Sequence, residues 1–108
     1  MKVIENNILP PKGYKAITIG PFIFIRRGTK LSEMDCNHEA IHWEQYKETL
    51  VVGFFLIYVI EFIYKFLFIY GGEWKKTYHN LSMEKEAYMN QENLEYIKNR
   101  KHYKWIKL

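Results

Sequence analysis

The sequence predicts a mainly helical α+β fold: an N-terminal β-hairpin, a helix carrying a His-Glu-x-x-His motif, a long apolar helix, and a third helix bearing glutamates. Three observations carry this expectation. Two short apolar runs flank Gly20-Pro21, as strands joined by a turn would. From His38 no proline interrupts the chain before Gly71-Gly72, so one extended helical stretch fits. Ser82 then precedes Met83, Glu84, Glu86 and Ala87, a capping residue followed by helix formers.

In chain order, Pro10-Pro11 and Gly13 mark an irregular approach to the hairpin. Tyr14 to Ile19 is the first strand expected, and Phe22 to Arg26, ended by Gly28, the second. The second strand is apolar on both faces, which suits a buried strand or an edge that another element covers. Asp35 or Asn37 is placed to cap a helix beginning near His38. That helix is expected to run to about Tyr70, bending near Gly53, with Gly71-Gly72 supplying a left-handed cap. Trp74, Lys75 and Lys76 read as loop, Ser82 opens the next helix, and Asn90 to Asn93 interrupts it. A short helix from Leu94 to about Arg100 leads to Tyr103 and Trp105.

At 108 residues the chain suits one compact domain, taken as 1–108, and is short for two. Its 48% hydrophobic and 18% aromatic content argues against disorder. Cys36 is the single cysteine, so packing, a metal or association must hold the fold in place of an internal disulfide. Met1 to Pro11 contains no signal-like apolar run, which makes a cytoplasmic location the expectation. The net charge of +4 is gathered at the C-terminal end, in Lys98, Arg100, Lys101, Lys104 and Lys107. So short a cationic end reads as solvated, and no nucleic-acid partner is expected.

Val51 to Tyr70 approaches the length of a membrane span. Glu61 and Lys65 oppose that reading, because an ionised side chain near mid-bilayer costs roughly 2.5 to 3.5 kcal/mol. They lie one turn apart and can pair on a solvated strip. A core helix is therefore expected, with peripheral membrane contact through 51–70 as the alternative. The aromatic stripe from Phe54 to Phe68 fits a core or a homo-oligomer interface.

The chemistry sits in His38-Glu39-Ala40-Ile41-His42. Histidines at i and i+4 project from one face of a helix and can reach one tetrahedral zinc ion. Glu39 lies beside that face, placed to take a proton from a water whose pKa the ion lowers toward about 7. A catalytic site needs a third protein donor, and the helix after Ser82 offers acids. Gln45 follows the second histidine by three and is placed to hydrogen-bond near the site. Tyr88, Tyr78, His79 and His102 are candidate donors to a developing oxyanion. Cys36 lies close to the motif, where a thiolate could block the ion, but reads as a bystander.

Glu84-Lys85-Glu86-Ala87-Tyr88 following His-Glu-x-x-His resembles the gluzincin group of zinc metallopeptidases, whose second helix carries Glu-x-x-Ala-Asp. The resemblance implies Glu84 as third ligand, with Glu86 as its rival or an outer partner. Tyr88 stands where the family has Asp, so another group must orient the ligand histidine. The layout also looks like small bacterial HExxH proteins. The family's use of an upstream strand to bind extended peptide implies Phe22, Ile23 and Phe24 as a substrate strand. A zinc-dependent hydrolase of peptides or small amides is thus the expectation, and a non-catalytic scaffold stapled by its metal the rival.

Overall fold

The computed structural model describes residues 2–11 and 14–108, and Gly13 lies outside them. The fold is α+β, a small N-terminal sheet followed by helices. Strands β1 (Lys2–Asn6), β2 (Ala16–Ile19) and β3 (Phe22–Arg26) form one sheet in the order β1-β3-β2. The β2–β3 hairpin turns at Gly20, whose φ of +59° costs a residue without Cβ nothing. β1 was not anticipated: it offers only Val3 and Ile4 as apolar residues and runs parallel to β3, placing Val3 opposite Ile23. Pairing across an intervening strand leaves no local signal. It also explains the apolar character of β3, which is central, with Ile23 and Ile25 buried on one face and Phe22 and Phe24 edge to face on the other. Arg26 pins the β1–β2 connection by donating to the carbonyls of Pro10 (2.7 Å), Asn7 and Ile8.

Helix α1 (Glu33–Glu48) begins earlier than the expected start at His38. Ser32 caps it through a reciprocal box, accepting from the Asp35 N–H while the Asp35 carboxylate accepts from the Ser32 N–H. Asn37 is therefore inside the helix and buried, and its amide donates to the carbonyls of Asn90, Gln91 and Asn93.

The single helix expected from His38 to Tyr70 is two, α1 and α2 (Val52–Phe68), bent by 108° at the junction. Leu50 and Val51 make the break with φ of +56° and +63°, the left-handed region that side chains resist. Gly53 is not the bend. It sits in the first turn of α2, where an added Cβ would lie 3.3 Å from the Thr49 Cβ. At the other end Gly71 and Gly72 take positive φ as expected, and the Gly72 N–H closes onto the Phe66 carbonyl at 2.7 Å.

α2 is not a core helix, because Phe54 alone among its residues is buried. Nor do Glu61 and Lys65 form a solvated strip. Glu61 accepts from the Ser82 N–H and hydroxyl, Lys65 donates to the Asn80 carbonyl at 2.6 Å, and the two pair at 2.9 Å. The N-terminus of the helix that Ser82 opens needs acceptors, and Glu61 supplies them. The charged side of α2 therefore faces inward and its apolar side outward.

Trp74–His79 forms a short helix, α3, where a loop was expected; α4 (Ser82–Asn90), α5 (Tyr96–Asn99) and a 3-10 turn at Lys104–Lys107 complete the chain. Ser82 is the first residue of α4, its cap position being Leu81. Tyr46, Phe54, Met83 and Trp105 form a buried cluster, with Tyr46 stacked on Phe54 at 3.8 Å and its hydroxyl donating to the Thr18 carbonyl at 2.7 Å. The C-terminal cations are only partly solvated. Lys101, Lys104 and Lys107 are exposed, whereas Arg100 is buried between Glu48 and Glu86, with hydrogen bonds of 2.8 and 3.0 Å to the former.

Candidate metal centre

α1 and α4 cross so that His38, His42 and Glu84, all buried, present ligand-capable atoms within 4.8 Å of one another. Glu84 Oε1 lies 3.3 Å from His38 Nε2 and 3.2 Å from His42 Nε2. The one-turn spacing of the histidines sets their rings edge to face with centroids 5.0 Å apart.

The opposite nitrogens determine what these atoms offer. His42 Nδ1 lies 2.8 Å from Gln45 Oε1, and His38 Nδ1 lies 2.7 Å from Gln91 Oε1. An amide oxygen only accepts, so each Nδ1 carries hydrogen and donates, and each neutral ring keeps its lone pair on Nε2. The Gln45 amide is itself oriented, donating from Nε2 to the Met83 carbonyl and to Glu86 Oε1, both at 3.0 Å. Glu86 also accepts from Tyr96 and Arg100. The rival third ligand therefore points away from the histidines and anchors the group that orients one of them. The two rings are thus oriented by glutamine amides, Gln45 for His42 and Gln91 for His38.

Two Nε2 lone pairs and a carboxylate oxygen buried together repel unless a positive charge joins them. Burial alone would lower the pKa of His42, yet the Glu84 carboxylate raises it to about 9. Burial would raise that of Glu84, but His42 and His38 hold it far below the usual carboxylate range. The cluster calls for a proton or a cation, and two imidazole nitrogens with one carboxylate oxygen suit a zinc-like ion. Tyr58, which sequence reasoning missed, donates to Glu84 Oε2 at 2.9 Å and fixes the remaining oxygen.

Glu39 is buried beside this group without belonging to it. Burial pushes its carboxyl up, His42 and His38 pull it down, and Glu84 adds to the rise. The Thr18 hydroxyl approaches Glu39 and favours its ionised form, yet has no partner in full hydrogen-bond geometry; it is the one such buried side-chain atom among the described residues. Glu39 lies between two cavities. The larger, about 380 Å³, is walled by Ile17, Phe55, Tyr58, Val59 and Phe62 and ends on Glu39, His42 and Glu84. The smaller, about 190 Å³, is lined by Asp35, His38, Glu39, Tyr78, Tyr88 and Gln91.

Among the oxyanion candidates, Tyr78 lines both cavities and Tyr88 lines the smaller, its ring 4.5 Å from that of His38. Burial raises the pKa of the Tyr78 phenol, which keeps its proton for donation. His79 is exposed and packs on the ring of Tyr88, outside the ligand group, and His102 is exposed beside Glu48. Cys36 is exposed and outside the group. Phe22, Ile23 and Phe24 cannot serve as a substrate strand, because β3 is paired with β1 on one side and β2 on the other. The strand bordering the larger cavity is β2, through Ala16, Ile17, Thr18 and Ile19.

Gln91 could have been found from the sequence, since it lies two helical turns beyond Glu84 on one face. Tyr58 and Thr18 carried no such signal. Comparison with protein-family models, with curated proteins and with solved structures finds no significant match.

Proposed function

We propose that the protein is a zinc-dependent hydrolase of peptides or small amides, with His38, His42 and Glu84 as metal ligands and Glu39 as general base. The observation that carries this reading is the orientation of both histidines, each with Nδ1 tied to a glutamine and Nε2 turned to the same carboxylate oxygen. A buried donor set of that kind, with a further carboxylate beside it and outside it, is what metal-assisted hydrolysis needs. When bound, the ion would polarise a water and the substrate carbonyl.

The chain's own residues account for the rest. Glu39, raised by burial, takes the proton of the attacking water and returns it to the leaving nitrogen as the C–N bond breaks. Tyr78, which lines the smaller cavity with His38 and Glu39, would donate to the oxygen on which charge develops. Ala16 to Ile19 border the larger cavity, and the outer edge of β2 pairs with no strand among the described residues, so an extended substrate can lie along it. Tyr46 already occupies the Thr18 carbonyl, which limits that edge to the Ala16 side.

Glu39→Gln tests the reading. It should keep one zinc per chain and lose hydrolysis of a peptide library by about a hundredfold or more. Wild type that binds zinc yet cleaves nothing that Glu39→Gln spares would instead support the metal-stapled scaffold.

A further inference from the structure

We infer that the exposed face of α2 is a docking surface for an anionic lipid bilayer, with the helix lying in the interfacial plane. Ile60, Ile63, Leu67 and Phe68 are 66%, 51%, 59% and 74% exposed, and Leu56 and Val59 extend the face toward the start of the helix. No charge interrupts it, because Glu61 and Lys65 are turned to the α3–α4 junction and engaged there. Contiguous apolar patches of this kind are rare on monomeric proteins and mark interaction surfaces. Among the described residues no single helix is long and apolar enough to cross a membrane. A helix with one apolar side and its ionised groups on the other lies on a bilayer surface instead.

The charges around the face identify the occupant. At the C-terminal end of α2, Trp74, Lys75 and Lys76 are exposed, and the Lys76 ammonium sits 5.7 Å from the ring of Tyr70. Tryptophan and tyrosine beside lysine is the composition of the headgroup layer. Glu73 is the exposed acid at the Trp74 end, outnumbered by its two lysines. A second copy seated in parallel on this face would set Lys75 and Lys76 against their own counterparts. Anionic headgroups complement the two lysines directly, and the aromatic rings beside them suit the same layer. Phe55 and Val59, themselves 42% and 50% exposed, also line the larger cavity, so docking would bring its opening to the lipid surface. The inference stands on this surface and does not depend on the metal reading.

Flotation of the full chain with vesicles of equal parts phosphatidylcholine and phosphatidylglycerol tests it, with phosphatidylcholine alone as control. Wild type should float with the anionic vesicles. The exposed pair Ile60→Glu and Leu67→Glu should stay behind, and Lys75→Glu with Lys76→Glu should bind at least about thirtyfold more weakly. Independently, tryptophan emission should shift to the blue on adding anionic vesicles, and Trp74→Phe should remove most of that shift. Failure of wild type to float with either vesicle would overturn the inference. So would unchanged flotation of the Ile60→Glu/Leu67→Glu pair, the absence of any emission shift, or a wild-type dimer that this pair converts to monomer without any vesicle binding.

Discussion

Gln45 and Gln91 each hold the Nδ1 of one histidine ring through the amide oxygen, the kind of outer contact that orients an imidazole toward an ion. The two substitutions Gln45→Leu and Gln91→Leu should therefore weaken zinc affinity by about ten- to a hundredfold each, measured by competition with a chromophoric chelator. Gln45→Leu should cost more, because it also strips a partner from Glu86 in a fully buried position. The placement of individual side chains was the most legible part of the sequence. The spacing of His38, Glu39 and His42 on a helix fixes their common face whatever surrounds it, and Glu84 follows from the resemblance of its helix. Tyr58 and Thr18 were not legible, since their approach to Glu84 and Glu39 depends on a helix crossing and a strand position that no local pattern encodes.

At the scale of elements, the α1–α2 break is built from residues that disfavour it. Leu50 is 85% exposed at a φ of +56°, so Leu50→Gly removes strain and no packing. It should raise stability by about 0.5 to 1 kcal/mol in urea unfolding. Gly53 drew attention as the bend because glycine is the usual breaker, and its actual use, the close approach of Thr49, is invisible without the turn. The amphipathic reading of α2 failed for a related reason. Glu61 and Lys65 looked like a solvent strip, but the unsatisfied N–H groups at the start of α4 and the Asn80 carbonyl draw them inward. β1 shows the same limit, as a parallel partner distant in sequence leaves no trace in five residues.

Across the whole molecule, the Glu48–Arg100–Glu86 knot ties α1, α4 and the C-terminal segment together behind the His38–His42–Glu84 cluster. Burial would raise the pKa of Glu48, but its bonds to Arg100, Tyr103 and Trp105 lower it below 4.5. Its contribution to stability is therefore present above about pH 4.5 and lost as pH falls through the lower folded value. In Arg100→Met, Glu48 is buried without its cation, so the variant should lose about 3 to 5 kcal/mol at neutral pH and recover part of it on acidification. Thermal unfolding at graded pH would show this reversal of slope, and parallel slopes in the two proteins would contradict it.

The central claim is that His38, His42 and Glu84 together hold one ion. The most direct test is zinc content per chain after gentle dialysis, by elemental analysis, for wild type beside His42→Ala and Glu84→Ala. About one zinc in wild type and none in either variant is the result expected of a three-ligand centre. Zinc retained by Glu84→Ala, or none in wild type after reconstitution, would contradict it.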